Sequence, residues 1–134
     1  RFVLSNINRL PLGVQLSAIT TIASPRPFVG IVGRDENNNN VTFDDWPNGV
    51  RVQRPESSWE NWYKTVDLRL QRALIQRGSQ KITVMAEVFN LFNSENISAY
   101  GGQQFQGTTA IPTFGQSTGA FAARQAQLGL KVEF

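Results

Sequence analysis

The sequence predicts an all-β chain: about five strands of a large antiparallel transmembrane β-barrel, with two long extracellular loops. Three observations carry this expectation. Five stretches alternate apolar and polar residues with a period of two, which is the strand signature. The connections between them alternate strictly between short and long. No window approaches eighteen consecutive apolar residues, so a transmembrane helix is excluded. The 40% hydrophobic content fits a barrel as well as a globular chain. A barrel places its apolar surface at every second residue, so its mean hydropathy stays low.

Taken in order, the opening stretch Arg1 to Asn8 is the weakest, and its facing is ambiguous. Arg9-Leu10-Pro11-Leu12-Gly13 then reads as a short turn. The second strand, Val14 to Ser24, places Val14, Leu16, Ala18, Thr20 and Ile22 on one side. A long polar loop follows, roughly Pro25 to Asn61. In the third strand, Tyr63 to Leu74, Val66, Leu68 and Leu70 alternate with Asp67, Arg69 and Gln71. The turn Arg77-Gly78-Ser79-Gln80 leads to a fourth strand, Lys81 to Phe92. There Ile82, Val84, Ala86 and Val88 oppose Thr83, Met85 and Glu87. A second long loop spans Asn93 to Ala123, with no internal pattern and with Gly101, Gly102 and Gly115 as punctuation. The last strand, Arg124 to Phe134, sets Ala126, Leu128, Leu130, Val132 and Phe134 against Gln125, Gln127, Gly129, Lys131 and Glu133.

Loops this long count against a compact soluble domain, whereas an outer-membrane barrel has short periplasmic turns and long outer loops. The last strand then descends to the periplasmic side and its apolar face meets lipid. The charges Asp67, Arg69, Glu87, Lys131 and Glu133 point into the lumen, where opposite signs pair across strands and fix register. Five strands cannot close a barrel, since the smallest have about eight, and an open edge in lipid leaves backbone groups unsatisfied. Residues 1–134, which begin with Arg1 and show no signal-peptide pattern, are therefore expected to be the C-terminal piece of a larger chain, the favoured reading, or else to complete a barrel with other chains.

Composition excludes several functions. Cysteine and histidine are absent, which removes disulfides, thiol nucleophiles, Cys/His zinc sites and a histidine base. The net charge of +3 is scattered, without the basic footprint that nucleic-acid binding requires. Asp44 and Asp45 are adjacent, so in an extended loop they point apart and make a poor acid–base pair. No enzyme is expected.

The chain ends Gln127-Leu128-Gly129-Leu130-Lys131-Val132-Glu133-Phe134. This resembles the C-terminal signal read by the bacterial barrel-assembly machinery, with Gln127, Gly129, Val132 and Phe134 in the places of its polar, glycine, hydrophobic and aromatic positions. Glu87-Val88-Phe89-Asn90-Leu91-Phe92-Asn93 resembles the FNLFN segment of TonB-dependent outer-membrane receptors. Pro112-Thr113-Phe114-Gly115 and Ala123 to Leu130 are similar to that family's last loop and strand. Pro25-Arg26-Pro27-Phe28 and Trp46-Pro47-Asn48-Gly49-Val50 resemble the branch with a carboxypeptidase-regulatory-like N-terminal domain. The resemblance implies a barrel of about 22 strands, plugged and energised through the TonB system by N-terminal parts outside these residues. Its implied partners are outer-membrane lipid, the assembly machinery and the remaining strands; its implied task is import of a scarce, unidentified ligand. A structural or adhesive barrel, or a passive porin, is the alternative. A soluble carbohydrate-binding β-sandwich using the tryptophans is a third reading, and it leaves the terminal signal unexplained.

One segment offers site chemistry, although no cofactor is required. Asp35, Asn37 and Asn39 place oxygens at alternate positions, followed by Asn40, the Val41 carbonyl, Asp44 and Asp45. The spacing matches a calcium loop in part, but Asn40 stands where glycine is usual and Trp46 occupies the twelfth position. The bland reading is an Asn-rich loop tip. Trp46, Trp59, Trp62 and Tyr63 cluster in sequence near the third strand. They read as ligand-stacking rings or, more simply, as interfacial and loop-packing aromatics.

Overall fold

The structure is a computed structural model describing residues 1–134, and it divides the chain into two compact units. The first comprises Arg1–Ala23, Lys64–Glu95 and Ala122–Phe134; the second comprises Ser24–Tyr63 and Asn96–Phe121. The strands in chain order are β1 (Phe2–Arg9), β2 (Val14–Ala23), β3 (Phe28–Val29), β4 (Val52–Gln53), β5 (Tyr63–Arg77) and β6 (Gln80–Phe89). They continue as β7 (Ile97–Tyr100), β8 (Phe105–Gln106), β9 (Thr109–Ala110), β10 (Ser117–Ala120) and β11 (Gln125–Glu133). There is no α-helix. All five strands expected from periodicity form, in one sheet of order β1-β2-β5-β6-β11. Each pairs with its neighbour in sequence among the long strands, which is an antiparallel meander.

The two tight turns follow from their residues. Pro11 opens the first, and Leu12 and Gly13 continue it at φ +64° and +70°. Gly78, at φ +58°, takes the first central position of a two-residue hairpin, which favours glycine because an L side chain is strained there. Between Ala73 and Ile75 the register of β5 against β6 shifts by one residue, a β-bulge. The bulge keeps the apolar phase. Ile75 faces Ile82, and Ile82 faces Val132. Without it, the end of β5 would turn its apolar residues to the opposite face.

The fourth strand ends earlier than its sequence pattern suggests. The expectation runs to Phe92, but β6 stops at Phe89 because Asn90 adopts φ +50° and Asn93 φ +54°. Asparagine tolerates this left-handed backbone better than other non-glycine residues. Asn90 is only 4% exposed. Its N–H donates to Asp67 Oδ1 at 2.8 Å, its Nδ2 to the Ser94 carbonyl at 2.9 Å, and its Oδ1 accepts the Ser94 N–H at 3.0 Å. Leu91 N–H reaches the Val66 carbonyl of β5, and Arg124 N–H at the start of β11 donates to Asn93 Oδ1 at 2.9 Å. The Asn-Leu-Phe-Asn turn thus ties β5, β6 and β11 together at the end of the sheet opposite its short turns.

The second unit corrects the expectation of patternless loops. Its two segments build three small antiparallel pairs, β3–β4, β7–β10 and β8–β9. They join each other through Ile31 N–H to the Gly102 carbonyl (2.7 Å), Gln104 N–H to the Ile31 carbonyl (3.0 Å) and Phe105 N–H to the Val32 carbonyl (2.8 Å). Val32, 2% exposed at this junction, is the only aliphatic side chain that the whole chain buries fully. Gly101 and Gly102 are more than punctuation. A Cβ at either would lie 2.1 Å from the Thr113 carbonyl oxygen or 2.5 Å from that of Val29, so the close backbone approach excludes a side chain.

Replacing Asn90 with alanine should cost about 2–4 kcal/mol, from a buried hydrogen-bond set plus backbone strain. Glycine at the same position keeps the φ and should cost less. The urea midpoints of unfolding of the two variants, compared with the parent, measure this.

Candidate functional site

Register assigns every side chain of the principal sheet to a face, because directly opposed residues of an antiparallel pair share one. Across β5, β6 and β11 the apolar rows are Leu68–Val88–Ala126, Leu70–Ala86–Leu128 and Ile75–Ile82–Val132. Between the last two rows lies Arg72–Val84–Leu130. The opposite face carries Arg69–Glu87–Gln127, Gln71–Met85–Gly129 and Ala73–Thr83–Lys131. Gln71 Nε2 donates to Gln15 Oε1 at 3.1 Å, which puts Gln15 of β2 on this polar face and Val14, Leu16 and Ile22 on the apolar one. The facing of β1 is thereby settled: Phe2 opposes Ile22 and Leu4 opposes Thr20.

The apolar face is not hidden as it would be in a water-soluble sheet. On the apolar face Leu128 is 87% exposed, and Leu130, Val132 and Leu70 are also exposed. On the polar face Thr83 is buried and the Glu87 side chain is 18% exposed. A soluble protein hides its apolar rows and wets its polar ones. Here the apolar rows of β11 are exposed, as are Arg69, Gln127 and Lys131 on the other face, and only the middle of the polar face, at Thr83 and Glu87, is covered.

The expected cross-strand pairing of charges occurs at one pair of strands. Arg69 Nε lies 2.8 Å from Glu87 Oε1, and Gln127 Nε2 donates to Glu87 Oε2. Three side chains of one row therefore bond across three strands, with Arg69 also reaching the Met85 sulfur at 3.5 Å. Lys131 and Glu133 pair along β11 at 2.9 Å, and Asp67 is engaged by Asn90 instead of by a cation. The residues matched to the assembly signal separate by face: Gln127 and Gly129 on the polar side, Val132 on the apolar side, with the 96% exposed Phe134 just beyond β11. Gly129 leaves room for Met85, whose Cε would sit 3.2 Å from an added Cβ.

The Asp/Asn segment of the second unit closes on itself through its own amides. Asp35 Oδ1 accepts the Asn39 N–H at 3.1 Å and its Oδ2 the Asn40 N–H at 2.8 Å. Asn37 Oδ1 accepts the same Asn39 N–H at 3.0 Å, and Asn39 Oδ1 accepts that of Val41 at 2.8 Å. Asp44 takes the Asn39 side-chain amide and Asp45 the Glu36 N–H. Asp35, Asp44 and Asp45 do not assemble as a group of three acidic residues placed to hold a metal ion. The alternate side-chain oxygens of Asp35, Asn37 and Asn39 each accept a backbone N–H of the same loop.

Nor do the four aromatics stand as one platform. Trp59 and Trp62 pack at 5.7 Å, Trp46 lies beneath the Arg51 guanidinium at 5.1 Å, and Tyr63 meets Phe121 edge-on at 5.5 Å. Phe28 stacks on Tyr100 at 5.4 Å and meets Phe114 edge-on at 6.1 Å. Arg34, ion-paired with Glu36 at 2.7 Å, covers the Phe105 ring at 4.1 Å. The contacts of Phe28 with Tyr100 and Phe114, of Tyr63 with Phe121 and of Arg34 with Phe105 join residues far apart in sequence and could not be read from it. The asparagines at 90 and 93 were the available signal for the Asn-Leu-Phe-Asn turn, and the i+2 spacing of Leu68, Leu70 and Arg72 for a cation on the apolar face.

No known family, curated protein or solved structure matches this chain. What the fold defines is a class: an all-β, mostly antiparallel chain whose principal sheet is not closed.

The Tyr100 hydroxyl is buried without a hydrogen-bond partner, and burial raises its pKa above the ordinary 10.0. Tyr100→Phe should therefore raise stability by about 1 kcal/mol, measured as a higher melting temperature. The raised folded-state value means that the native state holds this proton longer than the unfolded chain does. The associated stability is complete below the ordinary tyrosine range and is lost as pH rises above it. Phenolate absorbance in the folded protein should show one tyrosine ionising later than free tyrosine. In the Asp/Asn segment, Asp35→Ala should release the Asn39 and Asn40 amides, seen as faster hydrogen exchange at those two residues.

Proposed function

We propose that this chain forms part of the wall of a bacterial outer-membrane β-barrel, and that the parent protein is a TonB-dependent importer of a scarce ligand. The observation that carries the membrane reading is the sheet's uncovered apolar face, on which Leu70, Ile75, Leu128, Leu130 and Val132 are exposed while Thr83 on the opposite face is buried. Hydrocarbon is the solvent that such a face matches. A soluble β-sandwich needs a second layer over the apolar face, and Leu128 and Leu130 are left bare. Both sheet edges, β1 and β11, are also free. In lipid each free edge needs a partner strand, which the remaining strands of a larger barrel supply.

Short turns lie at one end of the sheet and the connections to the second unit at the other, as in barrels with periplasmic turns and large outer loops. The importer reading rests on the resemblance of the Asn-Leu-Phe-Asn turn and the C-terminal strand to TonB-dependent receptors. On that reading the polar face, with its Arg69–Glu87–Gln127 row, borders the lumen, and the second unit meets ligand outside. Lipid, the assembly machinery, the remaining strands and the TonB system, acting through N-terminal parts, are the partners. An adhesive barrel or porin shares the wall but has neither plug nor TonB segment.

Outer-membrane fractions from cells expressing the parent protein provide the test. A folded barrel migrates faster before boiling than after, and the parent gene should encode a plug and a TonB-contacting segment. Recovery of the parent protein as a detergent-free soluble species would overturn the membrane reading. A heat-modifiable barrel lacking both segments would leave the wall and remove the importer. Within the wall, Leu128→Lys should destabilise the folded barrel by about 2–4 kcal/mol if it lies near mid-bilayer. Gln71→Glu, on the opposite face, should change it little. Denaturant unfolding in lipid vesicles distinguishes the two.

A further inference from the structure

Arg72 is the one charged side chain in the four rows from Leu68–Val88–Ala126 to Ile75–Ile82–Val132; Lys64 and Arg77 share the face nearer the two ends of β5. Arg72 stands opposite Val84, which stands opposite Leu130, with Leu70–Ala86–Leu128 on one side and Ile75–Ile82–Val132 on the other. The chain's ion pairs are Arg34–Glu36, Arg69–Glu87 and Lys131–Glu133, and Arg72 belongs to none of them. The acids of its own sheet are committed elsewhere: Glu87 to Arg69, Glu133 to Lys131 and Asp67 to the Asn90 amide. A guanidinium cannot lose its charge. Among apolar rows facing hydrocarbon it requires an anion from outside the chain.

Beside it lies a groove of about 310 Å³ whose wall includes Val14, Leu70, Arg72, Val84, Ala86 and Leu128. Its shape follows from register. Ala86 is the middle residue of its row, so its single methyl sits between two leucines on flanking strands. Strand spacing sets those leucine backbones about 10 Å apart, which leaves a channel for one hydrocarbon chain. Groove and charge are ordered along the strand: Arg72 lies two residues nearer the short-turn end than Leu70.

We propose that Arg72 and this groove hold a glycerophospholipid of the inner leaflet, with its phosphodiester on the guanidinium and one acyl chain over Ala86. The inference rests on the membrane reading above. The polarity is that of a periplasmic-leaflet lipid, with the headgroup toward the turns and the chain toward mid-bilayer. The arginine stem spans about one row of side chains, so a guanidinium directed toward the short turns lies near the level of Ile75. There the planar fork donates to two phosphate oxygens. The apolar walls exclude competing water, and the methyl floor of Ala86 seats the chain.

The test uses the full-length parent protein, purified in mild detergent, incubated with phosphatidylglycerol micelles and weighed by native mass spectrometry. The wild type should retain bound phosphatidylglycerol. Arg72→Gln, which removes the charge, and Ala86→Leu, which fills the floor, should each reduce retention about tenfold, the scale of one charge-assisted contact. Each variant should keep its heat-modifiable mobility, which separates loss of the lipid site from loss of the barrel. Equal retention by wild type and Arg72→Gln would overturn the proposal, as would preferential retention of lipopolysaccharide, an outer-leaflet lipid. A wild-type protein without heat-modifiable mobility would overturn the membrane reading, and this inference with it.

Discussion

The antiparallel register of β5, β6 and β11 is the constraint on which the rest of the structure depends. Backbone hydrogen bonds alone are indifferent to which side chains share a face, but a slip of one residue exchanges the two faces completely. In this sheet the exchange would send Leu128, Leu130 and Val132 to the side of Arg69 and Glu87. Both sets would then be in the wrong surroundings. The Arg69–Glu87–Gln127 row reinforces the register from the polar side, since these groups meet only when the strands are aligned as they are. The bulge at Ala73–Ile75 does so from the apolar side, by restoring the phase that β5 would otherwise lose near its end.

The ends of the sheet are held by different means. At one end the turns are short and their chemistry is local: Pro11 and Gly13 in one, Gly78 in the other. At the other end the connections are too long for local chemistry to align the strands. There the buried Asn90 ties its own turn to Asp67 on β5, while Asn93 holds Arg124 at the entrance to β11. An asparagine suits both tasks. It accepts a left-handed backbone that ends the strand, and its amide donates and accepts at once.

The second unit obeys another rule. It has almost no aliphatic core, with Val32 alone fully enclosed. Its segments are joined by backbone hydrogen bonds at Ile31 and Val32, by close approach at Gly101 and Gly102, and by ring contacts around Phe28. In the Asp/Asn segment Asp35 and Asp45 accept backbone N–H groups of the same loop, Asp44 accepts the Asn39 side-chain amide and Glu36 pairs with Arg34. Such a surface presents cations over rings and polar loop tips.

Much of the principal sheet was legible in the sequence because strand periodicity is a local property. Alternation over eight to fifteen residues in β1, β2, β5, β6 and β11 needs no knowledge of the partner strand. The same holds for the turns at Pro11–Gly13 and Gly78, which glycine and proline mark directly. What lay beyond the sequence depends on pairings distant along the chain. The facing of β1 required its register with β2 and the Gln15–Gln71 bond. The early end of β6 required a partner for the Asn90 N–H on β5, and the small strand pairs required two segments separated by β5 and β6. The sequence by itself determined which residues alternate and where the chain can turn, because those preferences lie in neighbouring backbone and side-chain chemistry. Only the tertiary structure decided which alternating residues became neighbours across strands, because register is a property of two segments together and neither encodes it alone.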